Sequence, residues 1–310
     1  MAAPVCLIVN PSAGGGKAGR LASAVQGRLG EHGLEVRPVY TRDLEHARAL
    51  ALEAAHGGET VVALSGDGLV GVLADALRAV PGALLGVLPG GRGNDLARVL
   101  GISADALEAC ATIADGVPRA VDLGEVLGTS EGPGQAYVGI ASAGFDSDAN
   151  RIANEAPAWL GGGVYAYGAL RALLSWKPAH FEIELEPAGE RYAFTGYSIA
   201  LANSRAYGGG MLAAPEAMLD DGLLDVIAVE RVSRLRFLAN LPKVFRGSHV
   251  QLPTVRSFRA AEVRVSADRP FTMYADGDPI GTLPLRVRAV RAAVRILVPE
   301  QPANGSAFSL

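Results

Sequence analysis

Residues 60–69 read Thr-Val-Val-Ala-Leu-Ser-Gly-Asp-Gly-Leu, and this stretch decides the fold class. The run 60–64 carries only apolar and β-branched side chains, which is typical of a strand buried on both faces of a parallel sheet. Ser65-Gly66-Asp67-Gly68 then forms a glycine turn, and a helical pattern begins at Leu69. A strand, a glycine turn and a helix in this order predict one βα unit of an α/β fold.

The same unit recurs on both sides of this stretch. Strand-like runs occupy 5–9, 35–39 and 84–88, and helical patterns occupy 18–29, 44–55 and 69–77. Further helical residues begin at Leu96 and at Ala104. We therefore predict an N-terminal α/β domain over residues 1–123. Its ligand should lie at the carboxyl ends of the strands, where three glycine turns fall.

The pattern changes at residue 124, because the β-rich runs that follow are separated mostly by turns. These runs occupy 136–141, 181–185, 192–201, 224–229 and 262–265. They predict an antiparallel β domain over 124–310, interrupted by helical patterns over 157–176 and 232–245. The last run, 294–298, could pack on either domain, and the sequence leaves both arrangements open.

Composition narrows the class of protein. The chain has 310 residues, 49% hydrophobic and 19% charged, with a net charge of -4. These values exclude an intrinsically disordered chain and a basic nucleic-acid-binding protein. No uncharged run approaches the ~20 apolar residues of a membrane-spanning helix. The first residues also lack the basic stretch of a secretory signal, so we expect a cytoplasmic protein.

Two further glycine turns flank this one, one earlier and one later in the chain. In chain order they are the first (10–17), second (65–68) and third (89–95) glycine turns. Residues 10–17 read Asn-Pro-Ser-Ala-Gly-Gly-Gly-Lys, and residues 89–95 read Pro-Gly-Gly-Arg-Gly-Asn-Asp. Backbone amides in such turns can cradle a phosphate group. A dinucleotide-binding fingerprint is disfavoured because Arg42 stands where an acidic ribose-binding residue is expected. A P-loop is disfavoured because Lys17 is followed by Ala18 rather than Ser or Thr.

Taken together, these motifs resemble the catalytic domain of diacylglycerol kinases, a family that includes soluble bacterial lipid kinases and sphingosine and ceramide kinases. The resemblance rests on Asn10-Pro11, on residues 65–68 and on Gly93-Asn94-Asp95-Leu96-Ala97-Arg98. It extends to Asp220-Asp221-Gly222-Leu223 and to Asp276-Gly277-Asp278. The resemblance implies transfer of a phosphoryl group from ATP to a lipid hydroxyl. It also implies an active site in the cleft between the α/β domain and a β-sandwich domain that binds the lipid.

The resemblance assigns roles to individual residues. The positions that match its nucleotide-binding residues are Asn10, Thr41, Gly66, Asp67, Gly68, Arg92, Gly93 and Asn94. Asp278 matches the general base, and Asp67 is the alternative base. Asp221 matches a structural Mg²⁺ site, with the carbonyl oxygens of Met218 and Leu223 as further ligands. Mg²⁺ is the expected metal and ATP the expected co-substrate.

The sequence departs from the family pattern at three places. Asp278 stands where bacterial relatives usually carry Glu, and Arg92 replaces a usual Thr or Ser. The Thr-Leu-Asn-Glu that commonly follows the second turn is here Leu69-Val70-Gly71-Val72. The loss of the polar pair at Gly71 and Val72 leaves a nucleotide- or lipid-binding regulator without turnover as one alternative. An NAD kinase-like enzyme is the other, since NAD kinases share the Gly-Asp-Gly turn.

The expected partner is a lipid substrate at the membrane surface. Residues 230–310 hold 13 basic and six acidic residues. Five of the basic residues fall on one predicted helix: Arg231, Arg234, Arg236, Lys243 and Arg246. This helix could face an anionic membrane, but a solvated helix face explains the same charges equally well. The sequence names neither the lipid nor the oligomeric state.

Overall fold

The computed structural model describes residues 4–127, 134–145, 147, 152, 171–173, 176–300 and 307–309. The N-terminal part alternates strands and helices, as the sequence predicts. Its elements are β1 (Val5–Val9), α1 (Ala13–Glu31), β2 (Val36–Tyr40), α2 (Leu44–His56), β3 (Thr60–Ser65), α3 (Asp67–Leu77), β4 (Leu84–Pro89), α4 (Asp95–Val99) and α5 (Ala106–Asp115). The strands pair in parallel in the order β2-β1-β3-β4.

Local sequence explains why these elements form. All residues of β1 and β3 are buried, which fits their uninterrupted apolar runs. Helix α2 buries Ala47, Ala51 and Ala54, which share one helical face at spacings of four and three residues. Its first turn is capped by Asp43, whose side chain accepts a hydrogen bond from the His46 N–H at 2.7 Å.

The rest of the chain is dominated by antiparallel strands. Its elements are β5 (Val117–Leu127), β6 (Gln135–Tyr137), β7 (Ile140–Gly144), β8 (Ala179–Glu186), β9 (Glu190–Ala202), β10 (Leu224–Glu230), α6 (Arg234–Val244), a 3₁₀ helix (Ser248–Gln251), β11 (Val255–Ala260), β12 (Glu262–Ala267), β13 (Thr272–Ala275), β14 (Asp278–Thr282) and β15 (Leu285–Val298). Strands β14, β13, β7, β9, β8 and β12 lie side by side in this order. Strand β10 also pairs with β9 in antiparallel fashion, along residues 196–202, and its other edge pairs with β11.

Strand β15 connects the two halves of the molecule. It pairs with β12 and β5 in antiparallel fashion, and its Arg295 and Ile296 pair in parallel with Leu84 and Leu85 of β4. The run 294–298, whose partner the sequence left open, therefore extends the N-terminal sheet. Strand β5 passes through residue 123 without a break and enters the same sheet. The hydrogen-bonded sheet is thus continuous between the two halves.

A buried ionic network also crosses between the halves. The Arg78 guanidinium, just beyond α3, lies 2.9 Å from Asp75 Oδ1 and 2.7 Å from Glu125 Oε1. Arg288 of β15 reaches the other oxygen of Glu125 at 2.7 Å. Burial alone would raise the pKa of Glu125, but the two guanidinium groups hold it below its usual range. The network fixes α3, which begins at the second glycine turn, against β5 and β15.

One predicted strand differs from the structure. The run 136–141 is divided into β6 and β7, and the break at Val138 and Gly139 frees two backbone N–H groups for a side chain of the site described below. The helical pattern over 157–176 lies largely outside the described residues, whereas the pattern over 232–245 corresponds to α6. In the described ranges, no helix combines the length and apolarity needed to cross a bilayer.

Candidate functional site

A cavity of about 780 Å³ lies between the glycine turns and the strands of the second half. One wall is polar and is formed by Asn10, Ser12, Gly14, Gly66, Asp67, Gly68, Arg92, Gly93, Asp95, Asp276 and Asp278. A second wall comes from the second half of the chain and is mostly apolar, with Ser142, Ser198, Ser204, Asn240, His249 and Thr254 among the following apolar residues: Ile140, Phe145, Ala200, Ile227, Val229, Val232, Phe237, Leu241, Val244, Leu252 and Val255. The cavity therefore offers a polar region and an apolar region to the same occupant or to two adjoining ones.

The three glycine turns pack backbone against backbone. A β-carbon on Gly14 would lie 2.4 Å from the carbonyl oxygen of Gly90, and one on Gly91 would lie 2.4 Å from the α-carbon of Gly66. Neither position accepts a side chain without movement of the neighbouring main chain. Glycine at these positions brings three loop backbones together along the polar wall.

Asp67 joins the second and third turns. Its carboxylate oxygens accept hydrogen bonds from the N–H groups of Asp95 and Leu96, each at 3.0 Å. Burial raises the pKa of Asp67, and these two backbone donors oppose the increase. The side chain is therefore held in one orientation by the first turn of α4. Both of its oxygens are engaged by backbone amides.

Asp276 occupies the turn between β13 and β14. Its backbone is left-handed, with φ of 51°, and its carboxylate accepts hydrogen bonds from Val138 N–H at 2.9 Å and Gly139 N–H at 3.0 Å. Burial and the nearby charge of Asp67 raise the pKa of Asp276 to about 7, against the lowering effect of the backbone donors. The Asp276 side chain thus ties the β13–β14 turn to the break between β6 and β7.

Asp278 follows two residues later, at the start of β14, and also lines the cavity. Its Oδ2 lies 3.5 Å from the position of a β-carbon on Gly68, so it faces the second glycine turn. Burial raises the pKa of the Asp278 carboxyl. Three carboxyl groups, those of Asp67, Asp276 and Asp278, consequently meet at the polar end of the cavity.

Gly71, which departs from the family pattern, packs against the Asp276 carboxyl group. A β-carbon at Gly71 would lie 2.8 Å from Asp276 Oδ2, so the glycine leaves the space that the carboxyl group occupies. Val72, which replaces the usual Glu, is half-buried on α3. The local packing therefore accommodates both departures without distorting α3.

Of the predicted nucleotide-binding residues, six line the cavity: Asn10, Gly66, Asp67, Gly68, Arg92 and Gly93. Thr41 and Asn94 lie outside its lining. Thr41 is buried at the end of β2, where its N–H donates to the Val9 carbonyl at 2.9 Å. Asn94 has a left-handed backbone and its side chain bonds Gly91 N–H at 2.8 Å, so it shapes the third turn.

The predicted metal ligands Met218, Asp221 and Leu223 lie away from the cavity lining. Asp221 Oδ1 accepts a hydrogen bond from Leu223 N–H at 2.9 Å, and its other oxygen pairs with the Arg259 guanidinium. Arg259 also lies 3.5 Å from Asp225, whose pKa burial raises to about 6. The Asp225 Oδ2 atom is buried, and the ion pair with Arg259 takes the place of a hydrogen bond there among the described residues. Arg259 thus neutralises the carboxylates of Asp221 and Asp225, and the described residues contain no cluster of three or more His, Cys, Asp or Glu side chains that could hold a metal ion.

Several residues of the site were not predicted from the sequence. Gly209 donates its N–H to Asp95 Oδ2 at 2.7 Å, which brings the loop 208–210 onto the third turn. The three consecutive glycines of this loop are a signal that could have found it. On the apolar wall, Phe237 stacks on Tyr197 with ring centroids 4.2 Å apart and meets Phe145 edge-on at 4.9 Å. No local motif marks these aromatic residues, because the fold alone brings them together.

Comparisons with known proteins agree with this architecture. A family model described as the diacylglycerol kinase catalytic domain matches residues 4–126. A second, described as the YegS C-terminal NAD kinase beta sandwich-like domain, matches residues 139–298. A protein from Mycobacterium tuberculosis named diacylglycerol kinase is 36% identical over 303 residues, 95% of each chain.

Two further relatives extend the comparison. A probable lipid kinase YegS-like protein from Stenotrophomonas maltophilia is 30% identical over 281 residues, which cover 86% of this chain and 87% of its own. A solved structure of a putative diacylglycerol kinase from Bacillus anthracis superimposes with a TM-score of 0.77 at 21% identity, covering 95% of this chain and 97% of its own. These matches confirm the resemblance drawn from the motifs and the predicted order of an α/β part followed by a β-sandwich.

Proposed function

The chain belongs to the diacylglycerol kinase catalytic-domain family of lipid kinases, and we propose that it transfers the γ-phosphate of ATP to a hydroxyl group of a lipid. The observation that carries this proposal is the division of one cavity into two chemically different walls. Glycine-turn amides and the carboxyl groups of four aspartates line one part of it, and mostly aliphatic and aromatic side chains line the rest. A nucleotide suits the first wall and a lipid suits the second.

The proposed nucleotide site follows the three glycine turns. Gly66, Gly68 and Gly93 line the cavity, and their backbone N–H groups would bind phosphate oxygens, with the exposed Arg92 adding positive charge. Asn10 keeps the first turn in place, since its Oδ1 accepts hydrogen bonds from both the N–H and the hydroxyl of Ser12. Thr41 and Asn94 act in this proposal by supporting the turns rather than by lining the cavity.

Asp278 is the proposed general base. It would take the proton of the lipid hydroxyl while the lipid oxygen bonds to the γ-phosphorus and the bond to the β–γ bridging oxygen of ATP breaks. Its raised pKa makes it a better proton acceptor than an ordinary surface carboxylate. Asp67 suits this role less well, because both of its oxygens already accept hydrogen bonds from backbone amides.

Mg²⁺ is part of the proposal. Bound with ATP, it would neutralise phosphate charge, and the Asp67 carboxylate at the second turn is the group placed to face it. A second, structural cation would be held by Asp221 with the carbonyl oxygens of Met218 and Leu223. Asp221, which pairs with Arg259 in the structure, would then bind both the guanidinium group and the cation.

We also propose a cytoplasmic enzyme that contacts the membrane surface through α6. This helix buries none of its residues. Leu235 is 81% exposed, and Phe245, which follows the helix, is 54% exposed. Arg231, Arg234, Arg236 and Arg246 are exposed around them. Apolar side chains surrounded by arginine suit the interface of an anionic membrane.

The direct test is transfer of radiolabelled γ-phosphate from Mg²⁺ and ATP to a lipid panel. The panel contains diacylglycerol, monoacylglycerol, a sphingoid base, ceramide and a polyprenol, with NAD as a separate soluble acceptor. The expected result is a labelled lipid that needs Mg²⁺ and disappears in Asp278→Asn. Label on NAD alone would favour the NAD kinase alternative, and ATP binding with no labelled product would favour a regulator.

A further inference from the structure

Two hydroxyl groups lie side by side on the sheet that forms one side of the cavity. Strands β13 and β7 are paired so that Tyr274 lies directly opposite Ser142, and both residues line the cavity. Their neighbours along the two strands, Met273 and Ala141, pack into the hydrophobic core on the other face of the sheet. Because side chains alternate between the two faces of a strand, the side chains of Tyr274 and Ser142 point to the cavity.

The protein leaves both hydroxyl groups free. Within the described ranges, Ser142 bonds to another side chain only through its carbonyl oxygen, which accepts from the Ser147 hydroxyl at 3.0 Å. Ser142 is 6% exposed, and its hydroxyl oxygen keeps part of that surface. Tyr274 is half-buried, and no described residue bonds its phenol oxygen. An occupant of the cavity can therefore reach both oxygens, and each O–H can donate a hydrogen bond to it.

The two hydroxyl groups lie between the proposed general base and the apolar part of the cavity. On one side, Tyr274 pairs with Pro279, the residue that follows Asp278, at the ordinary strand spacing of about 5 Å. On the other side, Ser142 lies opposite Ala200 of β9, which belongs to the apolar lining. A lipid whose reacting hydroxyl lies at Asp278 and whose chains lie on the apolar lining would place its linking atoms over Tyr274 and Ser142.

We infer that Tyr274 and Ser142 are specificity-determining residues, whose hydroxyl groups donate hydrogen bonds to oxygen atoms that the acceptor lipid carries a few bonds away from the hydroxyl that receives phosphate. The inference rests on the proposed lipid kinase function and narrows its substrate class. Acylglycerols and ceramides carry ester or amide carbonyl oxygens at such positions. A polyprenol or another simple alcohol has only hydrocarbon there, so it would cover both hydroxyl groups without pairing them, which is unfavourable.

Two lipids of similar size isolate this contact. 1,2-Dioctanoylglycerol has two ester carbonyl groups, whereas 2-octyldodecan-1-ol has a primary hydroxyl and two alkyl chains but no carbonyl group. The measured quantity is the ratio of kcat/KM for the ester over the alcohol in mixed micelles. This ratio should fall about threefold to tenfold in Tyr274→Phe and in Ser142→Ala, the worth of one net hydrogen bond each, mainly through a higher KM for the ester.

Thr272→Val is the matched control. Thr272 lies on β13 two residues before Tyr274, is exposed and does not line the cavity. Removal of its hydroxyl group should leave the ratio as it is in the wild type. An equal fall of the ratio in all three variants would contradict the assignment of the contact to Tyr274 and Ser142.

A second readout needs no turnover. A carbonyl group that accepts a hydrogen bond absorbs at lower wavenumber, and isotope-edited infrared spectroscopy of ¹³C-carbonyl dioctanoylglycerol reports this band for the bound lipid. The band should lie lower in the wild type than in the double variant Tyr274→Phe with Ser142→Ala. If the lipids are phosphorylated but the ratio is unchanged in both single variants and the band does not differ, the inference is overturned and the kinase proposal stands. If no lipid is phosphorylated but the band differs, the kinase proposal fails and the hydroxyl contact is supported.

Discussion

The Asp276 carboxyl group lies against the α-carbon of Gly71, with Oδ2 only 2.8 Å from the position that a β-carbon there would take. The same carboxyl group holds the N–H groups of Val138 and Gly139. Helix α3, the β13–β14 turn and the β6–β7 break therefore meet at one residue that has no side chain. Asp278, the proposed base, is two residues away along the same turn.

Gly71→Ala should therefore lower transfer. The added methyl group displaces Asp276 and with it the turn that carries Asp278, and a shift of this kind costs about tenfold to hundredfold in kcat. Steady-state transfer and ATP binding are measured together, and the affinity for ATP should change little. Gly27→Ala is the matched control, because Gly27 lies in α1 with open space around it. That variant should keep its activity and gain up to about 1 kcal/mol in stability.

Substitutions of the two candidate bases, Asp278 and Asp67, should differ in their effect on stability, although both lower kcat. Asp278→Asn should lower kcat by about a hundredfold or more without lowering the melting temperature, since no described residue bonds its carboxyl group and burial disfavours its ionised form. Asp67→Asn should also lower kcat, but it replaces one of two oxygens that accept backbone N–H groups. Its free energy of unfolding should fall by about 1–3 kcal/mol. Equal melting temperatures for the two variants would contradict the assigned division of roles.

Much of this site was predictable from sequence, because the glycine turns follow strands of unbroken apolar character. The periodicity of residues 5–115 fixes the alternation of strands and helices, and the carboxyl ends of parallel strands meet at one edge. Asp67, Gly68 and Gly93 could therefore be placed at one site before the structure, whereas Asp278 was named only through the resemblance to diacylglycerol kinases. Their distances could not, since the contact between Asp276 and Gly71 joins positions 205 residues apart.

Other parts could not be predicted because tertiary contacts override the local pattern. Strand β15 begins at Leu285, although only 294–298 reads as an apolar run. Its first half alternates arginine with apolar residues, and Arg286 and Arg288 are held by Glu262 and Glu125 on neighbouring strands. His249 and Phe237 likewise carry no motif. They become lining residues only when α6 and the 3₁₀ helix close over the sheet.

Titration of the Asp276 carboxyl group should make the free energy of unfolding depend on pH. Its pKa in the folded chain, about 7, lies above the ordinary value of 3.8, so the folded state holds a proton that the unfolded state has released. Its contribution is fully present below about pH 4 and is lost as the pH rises toward 7. In thermal unfolding from pH 4 to 8, the wild type should lose stability relative to Asp276→Asn across this interval. A constant difference between the two proteins would show that Asp276 does not titrate there.

Arg78 is expected to be a main point of attachment between the halves. Arg78→Met leaves Asp75 and Glu125 buried with a guanidinium partner removed, which should cost about 3 kcal/mol in urea unfolding. Arg191→Met is the control, since Arg191 pairs with Glu184 on an exposed face. That change should leave the midpoint of urea unfolding almost where it is in the wild type. Similar losses in both variants would argue against a special role for the buried network.

The exposed apolar and basic side chains of α6 should bind the surface of anionic membranes. Leu235→Ser should reduce cosedimentation with vesicles that contain 30% phosphatidylglycerol by about fivefold to twentyfold, because burial of one leucine side chain is worth about 1.5 kcal/mol or somewhat more. Arg234→Gln with Arg236→Gln should reduce binding to the same vesicles and leave the weaker binding to pure phosphatidylcholine unchanged, since each arginine contributes about 1 kcal/mol through the anionic surface. Val117→Thr is the control for an exposed apolar residue elsewhere, on β5. If all four proteins sediment alike, α6 is a solvated helix face and the lipid reaches the apolar wall from another side.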